Sequence, residues 1–388
     1  NFDLEFQWSR IYGGPGAEVG KRVHVDALGD IYLVGYTSFG GIGAYDGYVI
    51  KIAPDGSLIW EVNVGSIEWD VLSSSVIWND TLWVGGSSFN SISGLENQYF
   101  AQVDSDGLVT QELLIESNTS ESIEDMFVFN NELLVSYTRE HENTSDAGLA
   151  GYNTSMMELW SHEKNGDSEH TFKASHVNAN ELNNIGWVIT SFATVNFEDE
   201  MIMSRFENDG TLLGEYGVES AGNQIARSTV WSGDAAMNIA NSNIFGAGGT
   251  GVYMERRVNN GIWTAGVVFG GENDEDPRRI IEDSEGRLIV VGTSKSYADF
   301  TIDAYFYRLP SNFLVNDYEL DLEENADEFL TSVFETIDDN VRVYPNPSSG
   351  KVNVSGLHNP FDYRLFSLAG KLLESGNDVQ GELVFPYP

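Results

Sequence analysis

Cysteine is absent from the 388 residues. That removes disulfide staples, thiolate nucleophiles and cysteine metal sites together, and leaves the compartment open. Basic residues are scarce: twenty Lys and Arg stand against sixty Asp and Glu, a formal net charge of −40. Neutralising phosphate takes Lys and Arg, so a nucleic-acid partner is disfavoured, and anionic lipid headgroups are repelled for the same reason. No apolar run reaches the roughly 20 residues a spanning helix requires, so direct membrane insertion is not expected. The chain opens at Asn1 with nothing leader-like, as a processed start would.

What the sequence does contain is a repeat. The stretches "GYVIKIAPDGSLIWEV" (47–62), "QYFAQVDSDGLVTQEL" (98–113), "MIMSRFENDGTLLGEY" (201–216) and "VYMERRVNNGIWTAGV" (252–267) share one plan. Each is an alternating strand, an Asp-Gly or Asn-Gly turn and a second strand, because both turn residues tolerate positive φ. A degenerate copy, "AGLAGYNTSMMELWSH", fills the gap in the middle. A further strand pair precedes each hairpin, from "KRVHVDA" with "IYLVGYTS" to "RRIIEDS" with "LIVVGTSK". Six units of four short strands at a period near fifty residues predict an all-β, six-bladed β-propeller over residues 1–315, or seven blades if a degenerate unit is hidden. The last unit lacks a fourth strand. "FQWSRIYGG" (6–14) matches the outer strand "GIWTAGVVFGG" (261–271), so the N-terminus is expected to complete the final blade and remove exposed edges.

These units resemble the bacterial SBBP β-propeller repeat. The residues that carry the resemblance are "W…YGG", "GDIYLVGYTS", "DGYVIKIAPDGSLIW", "GRLIVVGTS" and "DAYFYRL". It covers about 8–315 and implies a scaffold often found on secreted proteins, with no particular reaction.

Loop lengths single out one rim. Turns such as "LGD", "WND" and "PDG" are short, whereas "FGGIGAYDG", "FNSISGLENQ", "REHENTSDAG", "FATVNFEDE" and "KSYADFTID" are long. Binding residues concentrate on such loops. Phe39, Tyr45, Trp69, Phe89, Phe192, Phe197, Tyr297 and Phe300 recur there. Two readings stand: a platform for sugar rings or a protein partner, or plugs between blades. Asp46, Asp146, Asp199 and Asp303, each just before a third strand, are expected to accept backbone N–H groups. "DSDG" (104–107) is read as a hairpin turn, since the later positions of a calcium loop hold Val109 and Ile115. His162, His170 and His176 lack metal-site spacing, and no G-x-S-x-G elbow, Asp box or phosphate loop occurs. No cofactor, metal or catalytic residue is therefore assigned, and the chain is not expected to be an enzyme. A secreted polysaccharide hydrolase is the competing reading.

Residues 316–339 are strongly acidic and read either as a solvated linker or as a short amphipathic helix. Then "VRVYPNPSSGKVNVSG" (341–356) and "YRLFSLAGKLL" (363–373) follow. The two prolines break regular pairing and Gly350 permits a tight reversal. Val343, Tyr344, Pro345, Asn346, Pro347, Gly350 and Val352, with Gly370 and Lys371, resemble the type A C-terminal sorting domain of the Bacteroidota type IX secretion system. That resemblance covers 340–388. It implies a small β-sandwich, recognition by the system's shuttle β-barrel and outer-membrane translocon, and export through the periplasm to the cell surface. Its other implied partner is a surface polysaccharide or protein held by the propeller. The family runs on through further strands where this chain ends at "GELVFPYP", so the module is expected to be incomplete.

Overall fold

The computed structural model describes residues 8–309, apart from connecting segments at 168–169, 181–184, 196–197, 208–209, 218–222, 244–248, 259–260, 271–272 and 296–302, together with the strands found between 342 and 384. Every regular element among them is a β-strand. The first sheet comprises β1 (Glu18–Val25), β2 (Ile31–Thr37), β3 (Asp46–Ile52) and β4 (Leu58–Val64); the second, β5 (Trp69–Trp78), β6 (Thr81–Asn90), β7 (Leu95–Val103) and β8 (Val109–Ile115). The third holds β9 (Ser120–Phe129), β10 (Glu132–Glu140), β11 (Ser145–Tyr152) and β12 (Glu158–Lys164), and the fourth β13 (His170–Asn180), β14 (Ile185–Val195), β15 (Glu198–Phe206) and β16 (Leu212–Gly217). The fifth is β17 (Gln224–Ser232), β18 (Ala235–Ser242), β19 (Gly251–Val258) and β20 (Trp263–Phe269). A sixth, of three strands, has β21 (Glu275–Glu282), β22 (Leu288–Ser294) and β23 (Asp303–Leu309). Each strand pairs with its neighbour in the chain, the meander that makes a propeller blade.

Turn chemistry accounts for the regularity. Gly56, Gly107, Gly210 and Gly261 have φ between 77° and 86°, and the paired asparagine-type turns Asn79–Asp80 and Asn130–Asn131 are left-handed at both residues. The degenerate third copy puts Met156 at φ 58°, where the others use glycine. Its side chain is buried in the core with Trp83, Phe100 and Tyr152, and that packing offsets the backbone cost.

Two compact units result: Asn1–Asn196 with Phe206–Leu213, and Phe197–Arg205 with Gly214–Pro388. In the first unit, sheets pack face to face. Tyr32, Val34 and Val49 meet Leu72, Val84 and Tyr99; Trp83 and Phe100 meet Ile123, Val135 and Tyr152; and Leu134 and Leu149 meet Val177 and Phe206. In the second unit, Ile239, Met254 and Phe269 of the fifth sheet pack on Val290, Tyr305 and Tyr307 of the sixth.

The first strand of each of the first six sheets carries a β-bulge at the same point. The extra residues are Lys21, Ser73, Glu124, Ser175, Arg227 and Arg278. A bulge kinks the strand and frees a backbone donor. Here the freed donors are used: Met126 N–H donates to Ser74 Oγ at 3.0 Å, Val177 N–H to Asp125 Oδ2 at 3.3 Å and Ile280 N–H to Ser228 Oγ at 3.3 Å. Each bond links the residue after one bulge to the strand one repeat ahead.

The segment expected to complete the sixth sheet is a correction. Five sheets have four strands and the sixth has three, against the six four-stranded sheets expected. Where residues 6–12 are described, from Trp8 on, they are not a strand. Trp8 Nε1 donates to Pro54 O at 2.8 Å and Tyr12 Oη to Gly56 O at 2.7 Å, which ties this segment to a turn of the first sheet. Trp60 does the same one repeat on, donating to Ser105 O at 2.9 Å over Gly107. A Cβ on Gly56 or Gly107 would meet the Trp8 or Trp60 ring within 3.0 Å, so both glycines serve a close approach as well as a turn.

Beyond residue 341, β24 (Arg342–Tyr344), β25 (Lys351–Ser355) and β28 (Glu382–Val384) form one antiparallel sheet, and β26 (Phe361–Phe366) with β27 (Leu372–Val379) another. Val343 and Tyr344 therefore sit on β24 and Val352 on β25. Pro345, Asn346, Pro347, Gly350, Gly370 and Lys371, and the acidic stretch 316–339, lie outside the described residues.

Candidate functional site on the long-loop rim

The long loops of the first two sheets bring aromatic residues into one row. Tyr45 precedes β3 and forms a parallel bridge with Trp69, the first residue of β5, while Asp70 N–H donates to Tyr45 O at 2.9 Å. This bridge fixes the register between the sheets. Trp69 lies opposite Phe89 of β6. The rings of Tyr36, Tyr45, Trp69 and Phe89 then follow one another at 5.9 Å, two contacts edge-on and the last tilted. Edge-to-face geometry suits the ring quadrupoles and holds the row rigid.

Of the row, Trp69 stands open to solvent, while Tyr36, Tyr45 and Phe89 are half-buried. Trp69 is 54% exposed, and the neighbouring loops present Ile42, Ile67 and Ile92 almost fully exposed. Lys21, the bulge residue of β1, places Nζ 5.8 Å from the Tyr36 ring centre. Single exposed apolar residues are ordinary, whereas several near one another make a candidate interaction surface.

Three of the eight aromatics expected here, Tyr45, Trp69 and Phe89, are brought together. Phe39 is half exposed on the first-sheet loop, its ring against Gly14, and it joins no aromatic contact in the row. Phe192 is a correction: it lies within β14, opposite Lys173, not in a loop. Alternating apolar residues extend that strand to Val195, further than the loop reading allowed. Phe197, Tyr297 and Phe300 lie outside the described residues. Tyr36 is the member missed, since it reads as an ordinary strand residue and only the fold aligns it with Tyr45.

The polar candidates have structural partners. Asp46 accepts the N–H groups of Ile42 and Gly43, and Asp146 accepts Gly166 N–H at 2.7 Å. Asp104 Oδ1 takes the Asp106 and Leu108 N–H groups, the closed turn expected of "DSDG". His176 is buried with Nε2 3.0 Å from Asp125, His162 packs on Phe206 and His170 pairs with Asp167, so the three histidines serve three separate places. Asp125 is a hub. It also takes Arg22 at 2.5 Å and Ser74 Oγ at 2.9 Å, tying strands of the first four sheets. Beside it, burial pushes the Glu124 carboxyl above its ordinary value, against hydrogen bonds from Ser122 and Thr138.

The SBBP beta-propeller repeat model matches residues 7–43, from the Trp8 segment through β2 and the loop after it. No curated protein matches. Among solved structures, the β-propeller domain of the Trilobed protease from Pyrococcus furiosus aligns at 8% identity and a TM-score of 0.47, covering 94% of this chain and 96% of that one. The GH43 endo-arabinanase from Bacillus licheniformis aligns at 12% and 0.34, covering 60% and 93%. Drosophila Plexin A in complex with Semaphorin 1b aligns at 8% and 0.43, covering 76% and 77%. These similarities assign no activity to this chain.

Proposed function

We propose that this chain is an exported, non-enzymatic cell-surface β-propeller that binds a surface polymer, with its C-terminal strands acting as a type IX sorting module. The observation that carries the binding reading is the aromatic row. Tyr36, Tyr45, Trp69 and Phe89 form one rigid surface, and Trp69 leaves half its area to solvent. Flat, preorganised rings stack on sugar faces with little entropy to lose. The −40 charge keeps such a protein soluble and directs it toward neutral or cationic polymers. The sorting reading is supported by the residues from Val343 to Val352, whose first and last members lie on the paired strands β24 and β25.

The test is Trp69→Ala against a panel of neutral and amino polysaccharides. Binding should fall about tenfold or more with the melting temperature unchanged, as for a stacking residue truncated at an exposed site. Loss of stability in step with binding would assign the row to packing instead, and release of shortened products from any polymer would favour a hydrolase.

A further inference from the structure

A second site lies between the second and third sheets, independent of the aromatic row, and it marks where one repeat departs from its siblings. In the first, second, fifth and sixth sheets the first strand begins with an acid or amide facing a small hydroxyl: Glu18 opposite Thr37, Asp70 opposite Ser88, Gln224 opposite Ser242 and Glu275 opposite Ser294. Five residues earlier, Gly13, Gly65 and Gly270 lie close against Glu18, Asp70 and Glu275. The third sheet has neither feature, and differs from the fourth, where Phe172 faces Ala193, in keeping the acid. Glu121 faces Arg139, and the position five residues before Glu121 holds Glu116.

The consequence is a cleft of about 580 Å³ at that point. Arg139 Nε binds Glu121 at 2.8 Å and its Nη1 binds Glu163 at 2.5 Å, so its charge is already compensated. Tyr137 Oη donates to Glu163 at 2.6 Å, crossing above Gly148, where a Cβ would strike the ring. Gln98 donates to Glu121 at 2.7 Å and is 3% exposed, yet its Oε1 has no partner. An unpaired buried acceptor is costly unless a ligand donates to it. Glu116 and Glu158 are exposed and complete a lining of four carboxylates against one guanidinium. Burial and the nearby Glu158 and Glu121 charges also push the Tyr152 phenol above its ordinary range.

We infer that this cleft binds an amino sugar, its ammonium group set among Glu116, Glu121, Glu158 and Glu163 and its hydroxyls on the polar walls. The surplus of carboxylates selects a cation and rejects uronic or sialic acids. Apart from Ile115 and the tyrosine rings the walls are polar, which suits a hydroxylated ring better than the aliphatic stem of lysine. Among the described residues no three acidic or histidine groups come close enough to chelate a metal ion.

The probe is a short β-linked glucosamine oligomer, titrated by calorimetry into the whole chain alongside its N-acetylated form and oligolysine. The glucosamine oligomer should bind, weaken as salt rises from about 0.05 to 0.5 M, and exceed the N-acetylated form by about tenfold, the worth of a charge-assisted hydrogen bond. Glu116→Gln with Glu158→Gln removes the two exposed carboxylates and leaves the Arg139 pairs intact, and should abolish this preference without lowering the melting temperature. Should that pair fail to fold, Glu158→Gln at the exposed mouth should still weaken binding about fivefold. Absence of binding, equal affinity for the N-acetylated form, tighter binding of oligolysine, or indifference to these substitutions would each overturn the inference.

Discussion

Asp125 holds together more strands than any other side chain described above, and its loss should be felt as a buried ion left alone. It is 1% exposed, with Arg22, Ser74, His176 and the Val177 N–H around it. Asp125→Ala should cost about 3 kcal/mol or more, the range for breaking a buried pair and stranding its partner. Asp125→Asn, which keeps hydrogen-bonding capacity, should cost less; chemical denaturation of the two variants makes the comparison. A second expectation concerns acid. Asp26 and Asp283 each take two turn N–H groups on Oδ1. Desolvation opposes ionisation at both, but these donors, with Lys51 and Arg287 respectively, hold both carboxyls below the usual range. A depressed folded value gives stability that is present above the unfolded pKa, near about 4, and lost as pH falls through the folded one. Asp26→Ala with Asp283→Ala should therefore melt lower than the parent near neutrality and converge with it in acid. The hairpin turns at Gly56, Gly107, Gly210 and Gly261 were legible in the sequence, because Asp-Gly and Asn-Gly favour that backbone. The bulges were not: the extra residue is Lys, Ser, Glu, Ser, Arg or Arg, and no side chain is demanded there.

Among elements, the recurring unit of contact is an aromatic ring laid on the next repeat's turn. Trp8 on Gly56 and Trp60 on Gly107 share the ring position and the indole donation. Trp160 covers Gly210 in the same manner but donates instead to Glu132. Trp8→Ala should lower the melting temperature by several degrees, about 1–2 kcal/mol for a half-buried ring, and Trp60→Ala by a comparable amount. An unchanged melting curve for Trp8→Ala would mean that the first described residues contribute nothing to the first sheet. The matching of "FQWSRIYGG" to an outer strand singled out this segment but assigned it to the last blade, not to the turn it contacts. Hydrogen bonds from Trp8 and Tyr12 to one turn replace the ladder that a strand would have made. The candidate site was half legible for a similar reason. Loop aromatics announce themselves by composition, whereas Tyr36 joins the row only because β2 ends beside Tyr45.

For the whole molecule, the two ends of the sequence carry different duties. Residues 8–309 supply the first six sheets, and among the described residues the strands from Arg342 to Val384 pair with one another. Deleting 340–388 should leave a propeller with unchanged melting behaviour that accumulates in the periplasm, read by fractionation. Normal amounts at the surface would remove the sorting proposal. The hydrogen bonds from Met126, Val177 and Ile280 bear on how such a chain comes to be folded at all. Each joins residues 52 apart, so most of the order in one blade waits on a single successor and no more. Most of these links span one repeat, with the Arg22–Asp125 pair spanning two, and structure can propagate locally, as in other repeat proteins. A chain emerging from a narrow passage can thus consolidate blade by blade, a repeat behind its own exit, without holding hundreds of residues unfolded until the last one arrives.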